Sequence, residues 1–173
     1  MALHFSTSSS IKYEIAITAD PSLDMTQEEK DNYLKTGDNS LLKKLPNEEP
    51  TIFILKPLSP KDRETAELKA GGYTRSELGR ILWLEEPRGI KDKAYWRENL
   101  SDIEKKALAD YEGYLNRVYE EMIKVSVIEV KGVPFNDIMD LLNSIRPDAF
   151  RLKAISELIF HIQRLSLLSN EGK

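Results

Sequence analysis

Residues 51–68, TIFILKPLSPKDRETAEL, change their hydrophobic period within a few positions, and that change limits the folds open to the chain. Ile52, Phe53, Ile54 and Leu55 form a continuous β-favouring run, and Pro57, which has no N–H to give a ladder, stops the strand or confines it to an edge. Ser59 then stands as a helix N-cap. Pro60 takes the first helical position, where a missing N–H costs nothing, and Asp62 holds the capping-box position three residues after the cap. Gly71-Gly72 closes the helix. A strand that runs straight into a capped helix has to be packed by both kinds of element.

The remaining segments supply them. IKYEIAIT, 11–18, alternates Ile11, Tyr13, Ile15 and Ile17 on one face and reads as a strand; VSVIEV, 125–130, reads as another. Thr26 with Glu29 opens a short helix that Gly37 ends, Thr74 with Glu77 opens one to about residue 86, and Ser101 with Glu104 opens the longest, 102–124. On that long helix Leu108, Tyr111, Leu115, Val118, Tyr119 and Met122 form a core-facing stripe. Gly113 lies off the stripe at a cost of about 1 kcal/mol relative to Ala, which suggests a close approach there. Phe135, Ile138, Met139, Leu142 and Ile145 share a helical face, and RPDAF starts a last helix to about residue 168. Residues 37–50 read as a loop anchored by Leu41, Leu42 and Leu45, and residues 1–10 as a flexible N-terminus. The expectation is a single α+β domain, 1–173, with a small, mostly antiparallel sheet of about three strands near 11–18, 51–56 and 125–130, packed against several helices. A chain of this length buries roughly 70% of its unfolded surface without staples.

Composition narrows the chemistry. With no cysteine there is no disulfide, thiolate zinc site, iron–sulfur cluster or thiol nucleophile, which points to a reducing, intracellular setting. The 25 basic and 29 acidic residues are interleaved and leave a net charge of −4, the pattern of solvated helix faces rather than of a phosphate-binding stripe, so no nucleic-acid partner is expected. The N-terminus lacks the charged and apolar regions of a signal peptide, and no stretch approaches ~18 consecutive apolar residues, so no membrane partner is expected either. The two histidines, His4 and His161, cannot assemble a histidine-rich metal site, and no metal or cofactor is expected.

No catalytic template is satisfied. The phosphate-binding glycine patterns and the nucleophile elbow are missing. Glu157 and His161, one turn apart, have the spacing of a proton relay but read as an exposed helix pair. The neighbouring acids Glu28-Glu29, Glu48-Glu49, Glu85-Glu86 and Glu120-Glu121 point apart and read as solvated faces. Trp83 falls on an apolar stripe and reads as core, whereas Trp96, in KAYWREN just before a helix, is a candidate contact residue. The chain is therefore expected not to be an enzyme.

The last helix is the most informative. Leu152, Ala154, Ile155, Leu158, Ile159, Ile162 and Leu165 make one wide apolar face, Lys153, Glu157 and Arg164 confine polarity to a narrow wedge, and Phe160 and Leu167 sit one heptad apart outside the wide face. A surface helix needs one apolar stripe, so the extra pair is explained either by wrapping on two sides or by a groove for a partner or for self-association, to which Phe160 and Leu167 contribute.

Two segments carry a family resemblance. The strand that ends in a basic-Pro-Leu turn and enters a helix, ILKPLSPKDRETAEL, and the closing Leu/Ile-rich helix with its short tail, ISELIFHIQRLSLLSNEGK, resemble the tail assembly chaperones of long-tailed bacteriophages. The match covers 51–68 and 127–173 and leaves the middle unmatched. The resemblance implies a small, non-enzymatic assembly factor of the host cytoplasm that binds the tape measure protein through apolar contacts and helps recruit tail tube protein. A structural subunit of the phage tail or its junction is the alternative, followed by an enzyme with an unrecognised site.

Overall fold

The computed structural model describes residues 11–73 and 98–171, with side chains described to residue 167. Residues 1–10, the Thr74–Glu77 capping box, Trp83 and the candidate contact residue Trp96 lie outside the described residues. Along the chain come β1 (Tyr13–Ala16), α1 (Gln27–Thr36), a 3-10 turn (Asn39–Leu41), β2 (Ile52–Leu55), α2 (Pro60–Lys69), α3 (Asp102–Ser126), β3 (Val127–Val130), α4 (Ile138–Ser144) and α5 (Asp148–Glu171). The class is α+β, and the described residues form one antiparallel sheet in the order β1-β2-β3.

The register follows from the side-chain period. Ile15 opposes Phe53, and Phe53 opposes Val130, so these three form a row across one face; Glu14, Ile54 and Glu129 form the alternate row on the other. Each strand has four residues: β2 coincides with the run Ile52–Leu55, whereas β1 and β3 are shorter than the segments 11–18 and 125–130 that read as strands. At β3 the reason is specific. Helix α3 continues through Val125 and Ser126, because buried Ser126 donates its hydroxyl to the Lys56 carbonyl at 2.6 Å while its own carbonyl accepts the Lys56 N–H at 2.9 Å. The helix therefore passes directly into the strand at Val127, and a register irregularity between Ile54 and Leu55 absorbs the change.

The caps are local and form as the sequence predicts. Glu29 N–H donates to the Thr26 hydroxyl while Thr26 N–H donates to the Glu29 carboxylate, and the pairs Ser59–Asp62 and Ser101–Glu104 repeat this exchange.

The described residues divide into two compact units, those of 1–63 with 122–173 and those of 64–121, with the division falling inside α2 and α3. In the first unit the row Ile15, Phe53 and Val130 is buried together with Leu142, Leu158 and Ile162 of α4 and α5. A second cluster, Ala16, Leu23, Met25 and Tyr33, is flanked by Leu42 and Ile52, and Lys44 bridges to Leu23, which ties the expected 37–50 loop down. In the second unit Tyr73, Tyr111 and Tyr114 meet ring to ring at centroid distances of 4.8 to 6.1 Å, with Leu108 and Val118 buried on the same helical stripe. Leu115 and Tyr119, expected on that stripe, are half-buried. Among the described residues the close approach expected at Gly113 is not seen: a Cβ there would meet the Arg117 guanidinium, at an ordinary 3.6 Å.

Candidate functional site

Helix α5 has two faces with different chemistry. Ala154, Leu158, Ile162 and Leu165 are buried, as the wheel predicts, but Ile155 and Ile159 are only half-buried, and Leu152, expected on the same wide face, is exposed. The Glu157–His161 pair is also corrected. Both side chains are buried rather than solvated, because they project where β1 and α1 pack.

Their partners show how. The Glu157 carboxylate accepts the Thr18 N–H and the Thr18 hydroxyl, each at 2.6 Å. His161 meets the Tyr33 ring edge-on at 5.7 Å, and its Nδ1 lies 3.3 Å from Nη2 of Arg164. A guanidinium can only donate, so Nδ1 accepts and the ring proton sits on Nε2, which has no hydrogen-bond partner among the described residues. Burial, reinforced by the Arg164 charge, pushes the His161 pKa down to about 4, so the imidazole is neutral at neutral pH. Arg164 also donates from Nη1 to the Lys35 carbonyl at 3.1 Å, across the end of α1, with its guanidinium over Gly37.

Tyr33 completes the array. Its hydroxyl accepts the Ala16 N–H at 2.8 Å and donates to Asn39 Oδ1 at 3.2 Å, and burial pushes its pKa up to about 12. Asn39 Nδ2 in turn donates to the Glu14 carbonyl at 2.9 Å. The Glu14 carbonyl and the Ala16 and Thr18 amides, along the side of β1 away from β2, are thus each taken by a side chain. An open edge there would invite another strand. Both Glu157 oxygens are held by Thr18 and His161 is neutral, so the pair has the arrangement of a structural clasp rather than of an acid–base relay.

The outer face of α5 carries Leu152, Ser156, Phe160, Gln163 and Leu167, spaced 4, 4, 3 and 4 residues apart, all exposed and none charged. Phe160 is 46% and Leu167 58% exposed.

The first unit also holds a cavity of about 300 Å³ that the sequence reading missed. Phe53, Val130, Leu142 and Ala154 line its buried floor, Ile17 and Ile145 its walls, and Pro21, Phe150 and Arg146 are exposed lining residues. Its lining comes from four separated segments, and the sequence signals were small: Ala154 on an inner face of larger residues, and Phe150 off every apolar stripe. Asp20 also lines it, but both carboxylate oxygens are occupied. Burial pushes its pKa up, and hydrogen bonds from Ser22 and Thr51 outweigh burial and hold it below the ordinary carboxylate value.

Among the described residues no group of three or more His, Asp or Glu converges to hold a metal ion, and no helix is long and apolar enough to cross a membrane. Comparison of the chain with protein-family models, curated proteins and solved structures finds no match.

Proposed function

We propose that this chain is a non-enzymatic assembly factor of the kind its two end segments resemble, a tail assembly chaperone of a long-tailed phage, which binds an apolar helical seam of the tape measure protein with the outer face of α5 and assists tail tube assembly in the host cytoplasm. The observation that carries the reading is the uncharged stripe Leu152, Ser156, Phe160, Gln163 and Leu167. In a chain with 31% charged residues, the four consecutive exposed positions that follow Lys153 on this helix, Ser156, Phe160, Gln163 and Leu167, are without charge. Their spacing is that of side chains that pack against a second helix, and a solvated helix face would carry charge instead. The inner face, clasped through Glu157, His161 and Arg164, holds the stripe in place, which lowers the ordering cost of binding.

The test is co-expression with a tape measure protein of a long-tailed phage, expected on this reading to be encoded beside this gene. The chain should co-purify with it, the Phe160→Ser/Leu167→Ser double variant should not, and finished particles should lack the chain. Retention of the chain in purified particles at fixed stoichiometry would replace the chaperone with a structural tail subunit. Unchanged co-purification of the double variant would remove the α5 stripe from the reading.

A further inference from the structure

We propose that the cavity between the sheet and helices α4 and α5 binds a medium-length aliphatic carboxylate, with the tail on the Phe53, Val130, Leu142 and Ala154 floor and the carboxylate on Arg146. The proposal is independent of the α5 outer stripe.

The size argues for a small ligand. A volume of about 300 Å³ equals that of roughly ten waters in the liquid and falls at the lower end of small-molecule sites. The lining argues for an aliphatic tail: Ile17, Phe53, Val130, Leu142, Ile145 and Ala154 present no hydrogen-bonding side-chain group.

The head group follows from what the polar lining leaves over. Asp20 is committed to Ser22 and Thr51. Arg146 is held beside the cavity by Nη1 alone, which donates to the Asn143 carbonyl at 2.8 Å and the Ile145 carbonyl at 2.9 Å at the end of α4. Its ion pair with Asp148, at 3.7 Å, is solvent-exposed, and Asp148 is shared with Arg151. Among the described residues Nη2 and Nε of Arg146 make no hydrogen bond, so the cavity offers a guanidinium fork already fixed at its base. Such a fork selects a planar anionic acceptor over a neutral hydroxyl.

The test is calorimetric titration of the full chain with straight-chain carboxylates from hexanoate to tetradecanoate below their micellar concentrations, each compared with the alcohol of equal length. Affinity should rise about threefold to fourfold with each methylene until the tail fills the cavity, and then level off. The carboxylate should bind about tenfold more tightly than the alcohol, and Arg146→Gln should erase that preference while keeping alcohol binding. Ala154→Leu should make affinity level off at a shorter chain; should that variant not fold, Ile145→Trp narrows the cavity from its half-buried wall and should do the same. Affinity that climbs with length without levelling, or that is unchanged in the narrowing variants, means adsorption elsewhere and overturns the site. A carboxylate preference that survives Arg146→Gln overturns the head-group assignment, and the absence of saturable binding overturns the proposal.

Discussion

Thr18, two residues beyond the end of β1, gives both its N–H and its hydroxyl to the Glu157 carboxylate, each at 2.6 Å and across 139 positions of sequence. These bonds fasten the first strand to the last helix in a buried setting, where an abandoned donor costs more than the bond itself contributes. Glu157→Ala should therefore destabilise the fold by roughly 3 kcal/mol, and Thr18→Val, which keeps the backbone bond, by about half as much. Urea denaturation of both variants and of the double variant checks this. If the two costs simply add, the residues are not coupled in the way their geometry requires.

His161 makes stability depend on pH in a defined window. Its pKa is about 4 in the fold against 6.5 for a free histidine. Between these values the unfolded chain binds a proton that the folded chain excludes, so stability falls as pH drops through about 6.5 and the loss is complete near pH 4. The full effect is roughly 3 kcal/mol. At neutral pH and above, His161 is neutral in both states and contributes no slope. Subtracting the denaturation free energy of His161→Gln from that of the wild type, pH by pH, isolates this contribution from those of the carboxylates. A difference that is flat from pH 7.5 to 4.5 would show that the imidazole is not held neutral.

The features that were legible in the sequence are those decided within a few residues. The Thr26–Glu29, Ser59–Asp62 and Ser101–Glu104 exchanges need only a spacing of three, and the strands need only a period of two or an apolar run. A helical wheel likewise separates Phe160 and Leu167 from Ile162 by angle alone. It does not say which neighbours wrap the helix. Glu157 and His161 read as solvent-facing because nothing near them in sequence covers them, and the groups that do, Thr18 and Tyr33, lie more than a hundred residues away. The end of α3 lies two residues beyond the expected 124 for the same reason: the strand-favouring Val125 yields to a contact between Ser126 and Lys56. The cavity is illegible in the sequence because its lining converges from four segments that lie far apart along the chain.

Gly37 tests how tightly α1 is joined to α5. Its φ of +65° is left-handed backbone that costs a side-chain-bearing residue about 1–2 kcal/mol. In addition, a Cβ there would stand 1.9 Å from Nη2 of Arg164 and displace the guanidinium from Lys35 and His161. Gly37→Ala should cost more than the backbone alone. In an Arg164→Ala background the same change should cost only the backbone's share, about 1 kcal/mol. Equal costs in both backgrounds would mean that Arg164 does not occupy that position in solution.

The two faces of α5 should respond in opposite ways to substitution. Ile162 is fully buried, so Ile162→Ala leaves a cavity that its packed neighbours cannot close, at a cost of about 2–5 kcal/mol. Phe160 and Leu167 are about half exposed, and replacing both with Ser removes little area that folding takes out of water, so the melting temperature should stay within a few degrees of the wild type. An apolar anchor in a desolvated interface contributes about 2 kcal/mol or more to binding, so the same double variant should lose its partner while still folded. Melting and co-purification measured on the three proteins separate the outcomes. Loss of folding in the double variant would show that the outer face is packed against this chain itself, and a folded double variant with full partner binding would place the partner on another surface.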